Sequence, residues 1–148
     1  MAFTPITTTG IKPYTAALAS SVTTQLDALA TAVNSAAGTT ITNSTILDRF
    51  MDLELVLPIQ AAARSAGATF QVYMVVALDN SNFSDVSELS AELVATFGLT
   101  AATAAQRVFY RKIELPPQDF KLFGRNLSGQ PLAATLNLLR HRTYSGGI

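Results

Sequence analysis

The chain has no cysteine, and its 148 residues include only one histidine. The lack of cysteine excludes disulfide bonds and thiolate metal sites, so covalent cross-links cannot hold this fold together. The opening segment MAFTPITTTGIKP has neither the charged start nor the apolar run of a secretory signal. No apolar run reaches the roughly 20 residues that span a bilayer. We therefore expect a protein that is made in the cytosol, remains there unless a particle carries it out, and has no membrane partner.

Charged residues are also scarce, at 14% of the chain against 49% hydrophobic residues. A chain of this length and composition is typical of one domain that closes a single apolar core. So little charge is unusual for the surface of a monomer, because charge keeps a monomer soluble. We therefore expect part of the surface to contact other protein, and we predict a homo-oligomer, a trimer in the first place and a dimer in the second.

Neither sign of charge is in excess, since ten basic residues balance ten acidic ones. A net charge of zero disfavours direct binding of nucleic acid, which needs a broad positive field. The charges are nevertheless uneven, with eight acidic and three basic residues in 1–99 but two and seven in 100–148. Two interpretations stay open: strands from the two halves interleave and mix the charges, or a basic face docks on an acidic partner. The candidate partner-binding residues of such a face are Arg107, Arg111, Lys112, Arg140 and Arg142.

The common catalytic and nucleotide-binding motifs are absent: there is no GxGxxG, P-loop, GxSxG or HExxH. His141 lies between two arginines, and a lone histidine of this kind is more typical of surface or packing than of a metal site. We therefore predict that the protein is not an enzyme and has no catalytic residue, cofactor or small-molecule substrate.

Two groups of acidic residues could bind a metal. Asp52 and Glu54 project from one face of a predicted strand, where paired carboxylates could hold a cation. An exposed polar sheet face is the better interpretation, because two acids do not supply the six or more oxygens that calcium prefers. The oxygen-rich segment DNSNFSD, residues 79–85, misses the EF-hand spacing and is interpreted as a loop. No metal site is predicted.

Residues 1–13 are rich in threonine, and two prolines and a glycine there block regular helix. The segment is predicted to be an extended N-terminal arm. It is either a frayed terminus or an arm that lies along a neighbouring subunit. In the second case its candidate partner-binding residues are the apolar Phe3, Ile6 and Ile11.

Residues 14–148 are predicted to form one antiparallel β-sandwich. The first part, 14–34, is ambiguous: apolar residues at spacings of three and four suggest a helix, whereas its threonines favour a strand near 29–35. Alternating apolar and polar residues then predict strands at 50–57, 69–79, 90–99 (or a short helix), 107–115, 119–125 and 136–144. Without βαβ alternation, seven or eight such strands indicate an all-β sandwich or barrel of the jelly-roll kind.

Four segments carry a family resemblance: DLELVL, GATFQVYMVVALDNSNFSD, RVFYRKIELPPQDFKLFGRNLSGQPLA and LNLLRHRTY. They resemble a family of small virion proteins of tailed bacteriophages. Members of that family have a strand ending in ALDG or ALDN, a proline-bounded DFKF-like strand and a C-terminal RTY or RPY. These motifs are structural and include no catalytic residue, so they indicate a particle component more firmly than they indicate which one.

The resemblance most implies a capsid decoration, or cement, protein on the outer capsid surface, assembled in the bacterial host cytoplasm. Its partner would be the major capsid protein, bound across joints between capsid subunits. A tail, collar or baseplate-associated subunit is the alternative. A carbohydrate-binding β-sandwich is an alternative of another class, against which the lack of tryptophan counts.

Overall fold

Strands account for nearly all the regular structure of the computed structural model, which describes residues 18–79 and 81–145. Within those residues, no helix is long and apolar enough to cross a membrane. The only helical element described is a 3₁₀ turn at Thr24–Leu26. The strands are β1 (Ala19–Val22), β2 (Phe50–Leu57), β3 (Thr69–Val76), β4 (Glu92–Gly98), β5 (Gln106–Glu114), β6 (Phe120–Leu127) and β7 (Leu138–Tyr144).

The seven strands form two antiparallel sheets that pack face to face. The four-stranded sheet has the order β1-β7-β2-β5, and the three-stranded sheet has the order β4-β3-β6. The predicted all-β antiparallel sandwich is therefore confirmed. The predicted strands after residue 49 are confirmed with shifted ends, and the segment at 90–99 is a strand rather than a helix.

Alternation along the strands builds the core between the sheets. In β2 the residues Met51, Leu53, Leu55 and Leu57 point inward and are almost fully buried, and Pro58, which lacks a backbone N–H, follows the last of them. The facing sheet contributes a second inward row. The largest side chains of the resulting core include Phe70, Phe97, Phe120, Met74, Leu122 and Leu139.

A segment without strand assignment, residues 32–41, runs along the free edge of β6. Backbone N–H groups of Ser35, Gly38 and Ile41 donate to carbonyls of β6 at 2.8, 2.9 and 2.7 Å. Counted as a strand, this segment brings the total to eight and completes the strand order of a jelly roll, with 32–41 beside β6 and β1 beside β7.

The helix predicted over 14–34 is wrong for the described part of that range. The alternative strand near 29–35 is present only as an isolated antiparallel bridge between Asn34 and Arg125, at the start of the segment 32–41. Three of the apolar residues in this range are buried, although they do not lie on one face of a helix. Val22 lies in β1, Leu26 lies in the 3₁₀ turn, and Leu29 lies in an irregular stretch, while Val33 is 45% exposed. Val22, Leu26 and Leu29 are buried in the main apolar core, so their burial does not reflect helical periodicity.

A bulge in β5 changes which of its residues face the core. Strict alternation would place Ile113 on the same face as Phe109 and Arg111. Instead the pairing with β2 shifts between Met51 and Leu53, and Lys112 has a φ of 60°, in the left-handed region. Ile113 is thereby turned inward opposite Met51, and only 8% of it is exposed.

The arm predicted at residues 1–13, with Phe3, Ile6 and Ile11, lies outside the described residues.

Gly124 in β6 provides a test of how the core side chain of Phe70, in the neighbouring strand β3, packs against β6. A Cβ added at this position would lie 2.7 Å from Cε1 of the fully buried Phe70 and closer still to its Cζ. We expect Gly124→Ala to destabilise the protein by about 1–3 kcal/mol, the usual cost of overpacking a core. Urea unfolding followed by circular dichroism measures the change.

Gly98→Ala is the matched control, because an added Cβ there meets nothing within 4 Å. Its free energy of unfolding should stay within about 0.5 kcal/mol of the parent's, as is usual for surface substitutions. Equal destabilisation by the two substitutions would contradict the described packing of Phe70 against β6.

Candidate functional site

Asp52 lies on the outer face of the four-stranded sheet and is bound on both carboxylate oxygens. Arg142 of β7 donates to Oδ2 through Nε at 2.9 Å and through an Nη at 2.7 Å. The backbone N–H of Lys112, at the β5 bulge, and the hydroxyl of Tyr144 donate to Oδ1 at 3.0 and 3.1 Å. Antiparallel pairing of Asp52 with Arg142 places the two side chains on one face. The bulge is therefore also the source of one hydrogen bond to the carboxylate.

Glu54 lies two residues further along β2, on the same outer face. Its Oε1 forms an ion pair with Nε of Arg107 from β5, and its Oε2 forms one with an Nη of Arg140 from β7, each at 3.1 Å. Only 1% of Glu54 and 3% of Asp52 is exposed. The prediction that these acids lie on an exposed polar face is therefore wrong, because the flanking strands β5 and β7 cover them with arginine side chains.

The outer face of this sheet gathers most of the positive charge of the chain. We define the basic sheet face as the six residues Arg49, Arg107, Arg111, Lys112, Arg140 and Arg142, out of ten basic residues in the sequence. Arg49 and Lys112 approach the Phe50 ring at 5.7 and 5.5 Å from its centroid. Among the described residues of these strands, Asp52, Glu54 and Glu114 bring negative charge to the same face, three acids against six cations.

The structure brings together all five basic residues that the sequence analysis selected. Arg107, Arg140 and Arg142 hold the two buried acids, Arg111 lines a cavity beside Arg142, and the Lys112 side chain lies over Phe50. Of the two interpretations left open, the first describes the pairing seen here, because acids of the first half pair with arginines of the second. A basic excess nevertheless remains on this face.

Phe109 is a member of this surface that is not among the candidate partner-binding residues selected from the sequence. Its side chain lies between those of Arg107 and Arg111 on the outward side of β5, and 52% of it is exposed. Alternation over positions 107, 109 and 111 is the signal that could have identified it. Phe109 and Arg111 line a cavity of about 170 Å³, together with Leu18, Asp52 and Arg142.

A serine and the single histidine form the only other arrangement in the described residues that suggests nucleophilic chemistry. Ser21 Oγ of β1 contacts Nδ1 of His141 in β7. Ser21 is 3% exposed and so is closed to a substrate. The pair joins two neighbouring strands, and His141 packs, half-buried, against its neighbour.

The connection between β3 and β4 holds the second group of acids. Asp79 accepts hydrogen bonds from Asn82 and Ser81, and these donors, Asn82 first, hold the pKa of Asp79 well below its usual value. Such bonds are typical of the polar turn that the sequence predicts here. No group of three or more possible metal ligands is found in residues 18–79 and 81–145.

A cavity of about 660 Å³ is lined in part by residues of this connection. Its lining includes Met74, Val76 and Phe83, with polar groups at the rim. Lys121 lies 4.3 Å from the centroid of the Phe83 ring and so covers one of its faces.

Asp52 offers a direct test of the ion-pair cluster. We expect Asp52→Asn to destabilise the protein by about 3 kcal/mol, the low end for breaking a buried pair, because Arg142 keeps 19% exposure and some solvation. Asp85→Asn, an exposed acid in the β3–β4 connection, is the control and should be nearly neutral.

The measurement is again the urea midpoint. Adding Arg142→Met to Asp52→Asn should recover part of the loss, because it removes the cation left without its carboxylate. If the losses in free energy of unfolding simply add in the double variant, Asp52 and Arg142 are not energetically coupled.

Comparison of the chain with protein-family models and with curated protein sequences finds no match. Its function is therefore inferred from its own residues and their geometry.

Proposed function

We propose that this chain is a structural subunit of a phage virion, a decoration or cement protein that sits on the outer capsid surface and bridges neighbouring major capsid proteins. The observation that carries the proposal is the basic sheet face. It is a rigid, positively charged surface around an exposed aromatic ring, with its acids already bound by arginines. Such a surface is more typical of a protein-binding surface than of an active site.

The residue types of this surface favour a protein partner. Arginine and aromatic residues are enriched in protein interfaces and among the residues that dominate binding energy. The family resemblance of the strand and turn motifs points to the same class of partner. A jelly roll is also a fold that viral capsid domains use, although lectins and cupins share it, so the fold alone does not select the function.

Exposed apolar side chains at the connections add further contact area. Leu78, Leu89, Ile59 and Leu136 are between 72% and 100% exposed. Single exposed apolar residues are ordinary, yet four large ones on a chain with so few charges favour burial against neighbouring subunits. These residues support the proposal of a homo-oligomer, with a trimer preferred over a dimer.

Stabilisation of the particle would follow from mass action. A subunit that binds only the assembled shell shifts the equilibrium toward that shell at every copy. The arm at residues 1–13 adds to this contact in the proposal. Its prolines reduce the conformational freedom lost on docking, and Phe3, Ile6 and Ile11 are apolar side chains that can fill shallow pockets.

The proposal includes no catalytic turnover. The nucleophile candidate Ser21 is buried, and both carboxylates of β2 are engaged by arginines. A tail, collar or baseplate-associated subunit is the alternative. Copy number per particle separates the two, since decoration of a shell needs hundreds of copies and a tail part needs far fewer.

Deletion of residues 2–12 tests the role of the arm on the particle. We expect the truncated protein to occupy purified particles less fully and to protect them less, because the apolar anchors are lost. Quantitative gel analysis of the particles measures occupancy, and release of DNA on heating measures protection.

The control is Lys121→Glu in the full-length protein, which leaves the arm intact. If the truncated protein binds particles at full occupancy and protects them fully, the arm is only a frayed terminus. Intact protein found only at the tail would overturn the capsid location and leave the tail alternative.

Self-association is tested by multi-angle light scattering on the free protein at micromolar concentration and on protein released from particles. We expect a trimer, or failing that a dimer, because of the exposed apolar residues named above. A strict monomer under both conditions would contradict the oligomer.

A further inference from the structure

The positive charge of the basic sheet face exceeds what its own acids neutralise. Asp52 and Glu54 are buried beneath their arginines, so a partner would meet the cations rather than the carboxylates. Arg107 is 60% exposed even while it pairs with Glu54, so the side of its guanidinium away from Glu54 faces solvent. A guanidinium has five N–H donors, more than one carboxylate oxygen uses.

The buried acids also hold the arginines in place before any partner arrives. Arg142 is bound through two nitrogens to one oxygen of Asp52, and Arg107 and Arg140 are each bound to Glu54. Long side chains normally lose about 0.5–1.5 kcal/mol each when an interface immobilises them. Arginines that are already ordered avoid much of that loss, so this face is organised for binding in advance.

The cavity on the same face has the lining that an acidic side chain would need. Leu18 and Phe109 provide apolar walls for methylene groups, and Arg111 and Arg142 provide positive charge. Its volume of about 170 Å³ holds more than a single water molecule, whose share of liquid volume is about 30 Å³. Asp52 also lines it, but both of its oxygens accept hydrogen bonds from other groups.

We propose that the basic sheet face docks on an acidic protein surface, with one carboxylate side chain of the partner entering the cavity between Phe109, Arg111 and Arg142. This inference rests on the proposed function and names the chemistry of the capsid surface that the subunit would bind: exposed aspartate or glutamate at the joint between shell subunits. Phe109 packs against apolar atoms of the partner at the centre of the contact.

Nucleic acid fits this face less well. Duplex DNA carries one negative charge per about 1.7 Å and is bound through a broad positive field, whereas three of the six cations here are already paired with Asp52 and Glu54. On the other sheet, Arg125 of β6 is already paired with Glu88 of the β3–β4 connection. The chain as a whole has no net charge to attract a polyanion.

The test compares two single charge reversals with equal effect on net charge. Arg111→Glu changes the cavity, and Lys121→Glu changes β6 of the other sheet. The probe is a phage particle purified from a lysate made without this gene, titrated with each variant. Two further variants complete the set. Arg111→Lys keeps the positive charge at the cavity, and Phe109→Ala removes the aromatic ring. Urea midpoints confirm that each variant is folded.

We expect Arg111→Glu to weaken particle binding at least about tenfold, or ~1.4 kcal/mol, and Phe109→Ala to weaken it as well. Lys121→Glu should bind as the parent does, and Arg111→Lys should retain most of the affinity. Binding by the parent should also weaken as salt rises.

Three results would overturn the inference. If the parent binds particles and Arg111→Glu binds equally well, the basic sheet face is not the docking surface, although the proposed function stands. If the parent binds linear duplex DNA as tightly as it binds particles, and Arg111→Glu abolishes both, the face serves nucleic acid. If the parent does not bind particles at all, the proposed function fails and this inference fails with it.

Discussion

The antiparallel placement of β2 between β5 and β7 is the constraint on which the rest of the structure depends. Both faces of this strand are buried, so its inward leucines need the opposite sheet and its outward acids need cations. A buried carboxylate without a partner is very costly, and β5 and β7 supply the arginines that compensate. A slip of one residue in either register would turn the leucines outward and the acids into the core. The ion pairs and the core therefore specify the same pairing.

The connections are held by buried polar side chains in a chain that has no disulfide bonds. The amide of Asn126 donates to the carbonyls of Leu29 and Gln130, both at 2.8 Å, and the amide of Asn137 donates to Asp27 at 2.9 Å. Arg64, only 3% exposed, donates to carbonyls of the segment 100–104. The bonds of Asn126 and Arg64 satisfy backbone carbonyls of irregular segments, and Asn137 does the same for the carbonyl of Ala133 at 2.6 Å, which helps long stretches without regular structure to remain ordered.

The same ion pairs that stabilise the sheet also shape its outer surface. In a chain with 14% charged residues and ten basic residues, six of those cations lie on this one face. The acids beneath do not cancel the positive character of this face, because they order the arginines and leave the positive groups outermost. Stability and recognition are thus supplied by one cluster, and a substitution at Asp52 would affect both.

The sequence by itself determined the strands after residue 49, because alternation with period two persists wherever a strand has one apolar face. It also identified the five cations that lie on one surface, through the uneven distribution of charge. It did not predict the path of residues 18–41, the inward turn of Ile113, the exposure of Phe109 or the burial of Asp52 and Glu54. Only the tertiary structure decided these, because each depends on which strand lies alongside and where a bulge shifts the register, and both are set by contacts between residues far apart in the chain.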